Sequence, residues 1–322
     1  MYLAQNKSNN ADPDPVFVLR SKNEDITCIH CYMNTIICGS INGKIKFWDT
    51  TSKRVFSELD SGCSSSVLCI TIIKYNGGKT ILISHNRSGK IKFWHLKSFT
   101  EFVLISNWNI PAIGFCSITI LEEKSFVGFP MDNSDIGVRS FSLDQSNKKT
   151  FILTPKEKKG MTMHLKLFNS NRDIALLLAG YEDGTLGIWD FDKETLLSSI
   201  KLFNDPVMAL CLDSKTMKVV TGSAGKELKT VSISDNLNLD LLDTVTTQFS
   251  GCSAAQIRSD SKLVFVGGWD GKVRVYSCKK MKLLAVLKYH TETINCICFD
   301  GNKNVIIGCK DGKISLWDVY AT

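Results

Sequence analysis

The sequence predicts an all-β fold, a seven-bladed β-propeller whose N-terminal strand closes the last blade. Three observations predict it: a short motif recurring at blade-length intervals, a shared strand–turn–strand pattern ahead of each copy, and a first segment that matches the outermost strand of a repeat. The motif is clearest as Gly43-Lys44-Ile45-Lys46-Phe47-Trp48-Asp49 and returns as Gly89-Lys90-Ile91-Lys92-Phe93-Trp94-His95. Further copies are Gly184-Thr185-Leu186-Gly187-Ile188-Trp189-Asp190, Gly271-Lys272-Val273-Arg274-Val275-Tyr276 and Gly312-Lys313-Ile314-Ser315-Leu316-Trp317-Asp318. Two degenerate copies, Gly137-Val138-Arg139-Ser140-Phe141 and Lys226-Glu227-Leu228-Lys229-Thr230-Val231, fill the gaps. Measured at the Trp position, the copies fall at 48, 94, 141, 189, 231, 276 and 317, steps of the length of one four-stranded blade.

Each copy follows the same internal order. An apolar strand such as Ile294-Asn295-Cys296-Ile297-Cys298-Phe299 leads to a polar turn, then to a second apolar strand ending in Gly and a tight turn. Near-continuous apolar runs suit strands covered on both faces by neighbouring blades, and the turn Gly and Asp supply the backbone conformations a hairpin needs. At the start of the chain, Phe17-Val18-Leu19-Arg20 followed by Ile26-Thr27-Cys28-Ile29 matches Ala285-Val286-Leu287-Lys288 followed by Ile294-Asn295-Cys296-Ile297. Residues 16–20 are therefore expected to pair beside residues 313–319, removing the exposed edges of an open ring. Residues 1–14 read as a flexible tail and residues 15–322 as a single propeller.

Of the 322 residues, 43% are apolar and 22% charged, ordinary for a soluble globular chain. The net charge of +7 comes from scattered lysines rather than a dense basic arm, so it reads as a solvated surface and not a nucleic-acid site. The tail lacks the apolar core of a secretory signal, and no later apolar run has the roughly 18 residues that span a bilayer. A cytoplasmic and nuclear, non-membrane protein is expected. The twelve cysteines, mostly inside apolar runs, then read as small buried hydrophobes.

The Trp-Asp endings and the Gly268-Trp269-Asp270-Gly271 and Lys310-Asp311-Gly312 turns resemble the WD40 family. A closer resemblance runs through Pro13-Asp14-Pro15-Val16-Phe17-Val18-Leu19-Arg20, Leu178-Ala179-Gly180-Tyr181-Glu182-Asp183-Gly184 and Gly222-Ser223-Ala224-Gly225-Lys226. With Ala285-Val286-Leu287 and the ending Lys310-Asp311-Gly312-Lys313-Ile314-Ser315-Leu316-Trp317, these are similar to the G-protein β-subunit-like protein 1 family, called ASTRA-associated protein 1 in fungi. The resemblance implies a scaffold acting with the co-chaperone assembly that matures phosphatidylinositol-3-kinase-related kinases, which run DNA-damage and growth signalling. Fungal members are also linked to chromatin-associated complexes. A G-protein γ partner is not expected, because the stretch before the first strand is broken by Pro13 and Pro15 and carries no apolar heptads. A monomeric propeller is expected.

Few residues point to chemistry. His290 and Asp311 flank Trp317 at the spacing of a WD40 hydrogen-bond network, which reads as a stiffener of the blade rather than an acid–base pair. The hydroxyl that such a network needs falls, by position, on Ile307 or Cys309, so the network is expected to be incomplete. Cys28-Ile29-His30-Cys31 has the spacing of half a zinc site, without the second pair that a four-ligand site requires. No metal, cofactor or catalytic residue is expected, since nucleophile elbows, phosphate loops and His-Glu-x-x-His helices are missing. The chain reads as a non-enzyme.

Residues just before the turn aspartate, or its equivalent, project toward the top rim of a propeller: Ile41, Arg87, Glu182, Trp269 and Lys310, with Tyr181 and Tyr289 close by. Aromatic and arginine side chains there are natural anchors for a protein partner. The polar stretch 144–161, with Lys148, Lys149, Lys156, Lys158 and Lys159, reads as a mobile loop or a docking element for an acidic surface. Two alternatives stand beside the scaffold. A receptor of a cullin-type ubiquitin ligase would carry Trp-Asp-x-Arg, whereas Thr51, Asp192, Lys272 and Tyr320 occupy the equivalent position. An RNA-assembly propeller would need a contiguous basic and aromatic face, which the sequence does not concentrate.

Overall fold

A computed structural model describes residues 13–21, 24–75, 78–111, 114–141 and 149–319. Among them, 28 strands and no helix form seven antiparallel sheets of four strands each. In six sheets the strands are consecutive in the chain. In the seventh, Phe17–Arg20 lies outside Lys313–Trp317, with Phe17 opposite Leu316 and Arg20 opposite Lys313. The closure expected from the repeats is thus present, extended by the bond from the Val16 amide to the Leu316 carbonyl at 2.7 Å. Of the expected tail, residues 1–12 lie outside the described residues.

The core is a set of seams rather than one nucleus. Between the last and first blades, Leu19, Ile26, Ile36, Ile306 and Ile314 pack together. Between blades four and five, Leu178, Ile188, Val207 and Val219 do the same. Mainly apolar second strands such as Thr35–Ser40 and Leu263–Gly268 are buried along their whole length because each meets a neighbouring blade on both faces. The hairpin glycines are required by contact as well as by conformation. Gly43 has φ +82°, and a Cβ there would come within 1.9 Å of the Cys63 carbonyl of the next connection.

One expectation is corrected. The stretch 144–161 is not a free loop: Thr150–Leu153 is the outermost strand of the third blade, and Lys159 is buried with its amide bonded to Ser134 Oγ at 3.0 Å. Lys149 pairs with Asp192 at 2.8 Å, and residues 144–148 lie outside the described residues. The error came from length. The third blade lacks the Trp landmark, so its last strand was read into the connection.

A recurrent irregularity shapes the channel. In six blades the innermost strand slips register near its start, between Ile26 and Cys28, Val67 and Cys69, Thr162 and His164, Val207 and Ala209, Cys252 and Ala254, and Ile294 and Cys296. A bulge re-aims the extra residue. Here the extra residues are Thr27, Leu68, Met163, Met208, Ser253 and Asn295, and all six line the top of the channel. Three of them also tie neighbouring blades: Thr27 Oγ1 donates to the Val67 carbonyl at 2.6 Å, Ser253 Oγ to Ile294 at 2.7 Å, and Asn295 Nδ2 to Ile26 at 2.8 Å.

Burial also sets an acid limit on the fold. His85 is 2% exposed on the second strand of blade two, its Nδ1 has no hydrogen-bond partner among the described residues, and burial lowers its pKa to about 4. In the unfolded chain the same ring takes a proton near pH 6.5. As pH falls from 6.5 toward 4 the unfolded state therefore binds a proton that the folded state refuses, and stability is lost in that window. At pH 5 the expected loss from His85 is about 2 kcal/mol; His30, lowered to about 4 by burial, acts in the same sense. Urea midpoints at pH 7.5 and pH 5 should differ less in His85→Asn than in the parent. An unchanged difference would assign the acid sensitivity to other groups.

Candidate partner-docking site

The top of the channel opens into a cavity of about 500 Å³. Its position follows from a backbone rule repeated around the ring. The first residue after the second strand donates its amide to a carbonyl of the incoming connection: Ile41 to Asp25 at 3.1 Å, Arg87 to Ser66 at 2.8 Å, Glu182 to Met161 at 2.8 Å, Trp269 to Gly251 at 3.0 Å and Lys310 to Thr293 at 2.9 Å. The side chains at these positions are thereby presented on one rim.

Four of the expected rim residues line the cavity: Ile41, Arg87, Trp269 and Lys310. They lie on blades one, two, six and seven, so with Phe115 from the connection after blade two they form a continuous arc across the closure seam. Phe115 is 66% exposed and Trp269 46% exposed. Arg87 stacks its guanidinium 4.0 Å from the centre of the Phe115 ring, and neither Arg87 nor Lys310 forms an ion pair among the described residues. Trp269 lies flat on Gly251, where a Cβ would meet the indole at 2.1 Å and where φ is +80°. Phe115 and Gly251 were missed by sequence reasoning. Neither sits inside a repeat motif; Phe115 follows Gly114 within a largely apolar connection, where nothing marks it as different from a core residue.

The other three candidates do different work. Tyr181 is a correction: it is wholly buried and accepts the Trp189 indole N–H at 2.8 Å. As the last residue of its strand it turns into the seam between blades, and only the next residue turns outward. Burial pushes its phenol up. Glu182 is exposed, but its carboxylate accepts the Met161 amide at 2.8 Å, which ties down the connection beneath it, and it does not line the cavity. Tyr289 is half-buried, edge-on to His290 with ring centres 5.4 Å apart.

The network of the last blade is complete, which corrects the expectation of a gap. Its hydroxyl comes from Ser315, two residues before Trp317 and so on the same face of the strand. Trp317 Nε1 donates to Ser315 Oγ at 2.7 Å, Ser315 Oγ meets His290 Nε2 at 2.7 Å, and His290 Nδ1 meets Asp311 Oδ2 at 3.0 Å. All four groups are satisfied by the histidine tautomer that carries its proton on Nδ1. Burial tends to raise the Asp311 carboxyl, but the hydrogen bond from His290, helped by the Lys313 amide, overcomes it and holds it well below the usual range. Elsewhere the indole finds other partners: Cys38 Sγ for Trp48 and Ser84 Oγ for Trp94, both at 3.3 Å.

Ser315, His290 and Asp311 have the connectivity of a hydrolase triad. Substrate cannot reach it: Ser315 is 0% exposed, and its oxygen already accepts the Trp317 N–H. Cys309 Sγ lies within 4.8 Å of ligand atoms of His290 and Asp311, but it is engaged with the Glu292 carbonyl at 3.1 Å. The arrangement stiffens the turn beneath Lys310. Among the described residues no helix is long and apolar enough to cross a membrane.

Comparison with known proteins agrees with this geometry. The WD domain, G-beta repeat model matches residues 13–49, 241–277 and 281–318. Mouse guanine nucleotide-binding protein subunit beta-like protein 1 is 30% identical, over 96% of this chain and 97% of that protein. ASTRA-associated protein 1 of Schizosaccharomyces pombe is 33% identical, over 96% and 99%. Among solved structures, the β-propeller domain of Myceliophteria thermophila Cps50 (Swd1) superposes with a TM-score of 0.76 at 15% identity, covering 94% of this chain and 100% of that domain. That likeness shows the fold alone, and the matched family is one of interaction scaffolds rather than enzymes. Matched along nearly its whole length, the chain belongs to the WD40-repeat family of G-protein β-subunit-like protein 1 and ASTRA-associated protein 1.

Proposed function

We propose that this protein is a non-catalytic adaptor that holds phosphatidylinositol-3-kinase-related kinases to the co-chaperones that mature them, in the cytoplasm and nucleus, and that it docks a partner on the arc at the channel mouth. The observation that carries the docking site is the arc itself. Two cations without an ion pair among the described residues, Arg87 and Lys310, alternate with Trp269, Ile41 and Phe115 around one cavity. That alternation suits a partner segment pairing an acidic side chain with an aromatic or aliphatic one. The kinase-maturation role rests on the family: relatives along the full chain bear the name ASTRA-associated protein 1.

The test is affinity purification of the tagged chain from its own cells, read by mass spectrometry, beside Trp269→Ala and an Arg87→Glu, Lys310→Glu double variant. Kinases or their maturation co-chaperones should be recovered with the parent. Loss of a central aromatic anchor should weaken capture by about 2 kcal/mol, roughly 30-fold in Kd. Equal recovery with all three would sink the docking site. Recovery of ubiquitin-ligase adaptors or ribosomal particles instead would overturn the kinase assignment.

A further inference from the structure

We propose that Cys31 and Cys298 form a disulfide-capable pair, a modification site that latches the first blade to the last. Cys31 is the penultimate residue of the innermost strand Ile26–Tyr32, and Cys298 is the penultimate residue of Ile294–Phe299. Equivalent positions on neighbouring blades face each other across the channel seam, and the two Sγ atoms are 3.1 Å apart although the residues are 267 apart in the chain. Among the described residues no other pair of thiols is in such contact. A disulfide needs about 2.05 Å between sulfurs, so the approach required is about 1 Å.

Access distinguishes this pair from most of the other cysteines. Cys28, Cys38, Cys116, Cys211, Cys252, Cys278 and Cys309 are buried, whereas Cys31 and Cys298 are half-buried. Cys31 also lines an open cavity of about 430 Å³ between the first and last blades, beside Met33, Asn34, Asp300 and Asn304. A peroxide fits there easily. One thiolate attacks a peroxide oxygen and becomes a sulfenic acid as hydroxide leaves; the second sulfur attacks that sulfenic sulfur and expels hydroxide again. Both hydroxides take up the protons that the thiols release, so two thiols and one peroxide give one disulfide and two waters. The contact with Cys31, reinforced by burial, pushes the Cys298 thiol well up, so the reaction is expected to quicken as pH rises.

The bond would sit at the foot of the same two blades that carry Lys310 and Ile41 at the mouth. At the top, Asn295 already bonds the Ile26 carbonyl across this seam. At the foot, the thiol contact is the only polar link between these two strands among the described residues, so oxidation changes the seam where it is least tied.

The experiment treats the full chain with hydrogen peroxide at pH 7.5 and 8.5, blocks free thiols with N-ethylmaleimide and maps peptides without reduction. The expected result is a cross-linked peptide joining Cys31 to Cys298, more abundant at pH 8.5 and absent after dithiothreitol. The oxidised protein should also unfold at higher urea, and Cys31→Ser or Cys298→Ser should abolish both effects. Should either variant fail to fold, the parent map still decides. The proposal is overturned if both cysteines are recovered blocked or as sulfinic acids, if they join other cysteines, or if the cross-link forms only in urea.

Discussion

Replacing His290 by alanine is expected to destabilise the ring by about 3 kcal/mol, seen as a fall in the urea midpoint at neutral pH. The histidine joins Asp311 to Ser315, and the Asp311 and His290 side chains are 6% and 1% exposed. Removing it leaves a buried carboxylate without its main partner and a buried hydroxyl without its acceptor. Breaking such a pair costs roughly 3–5 kcal/mol. The lower end applies because Asp311 keeps the Lys313 amide at 3.0 Å and the Lys313 ammonium at 3.4 Å. Ser315→Ala should cost less, about 1–3 kcal/mol, since it strands neutral groups only. If His290→Ala costs under 1 kcal/mol, the network is not a stabilising element.

Removing residues 1–20 should have the larger effect: the truncated chain is expected to aggregate or fail to fold. Phe17–Arg20 supplies the fourth strand of the last blade, and Leu19, 2% exposed, packs with Ile314 and Leu316. Its loss uncovers the backbone edge of Lys313–Trp317 and an apolar seam together, the combination that invites edge-to-edge association. A milder probe separates packing from pairing. Leu19→Ala keeps the strand and should cost about 2–5 kcal/mol, as large-to-small changes in a core do. Size-exclusion chromatography of both proteins gives the readout. A soluble, monomeric truncation with an unchanged urea midpoint would mean that the first strand does not close the ring.

The blades, their number and the closing strand were legible because each is a local property. A glycine turn, an alternating strand and a terminal Trp recur whatever surrounds them. The rim positions of Ile41, Arg87, Trp269 and Lys310 were legible for the same reason, since one place in the repeat maps to one place on the ring. Reading failed where a repeat lost its landmark. Without a Trp in blade three, Thr150–Leu153 passed for a loop. It failed again at Tyr181, which is one residue from an outward position and wholly buried, a difference set by the pleat.

The sequence by itself determined the period, the strand order and the pairing of the two chain ends, since all three follow from a motif that recurs along the chain and from a first segment that matches the outer strand of that repeat. The tertiary structure alone decided what meets across blades. Ser315 completes the His290 network because its strand packs beneath an incoming connection. Six bulges near the starts of the innermost strands turn side chains into a channel that exists only when the ring is assembled. Cys31 reaches Cys298 because a ring brings its first and last blades together. Each depends on contacts between distant segments, which no local pattern encodes.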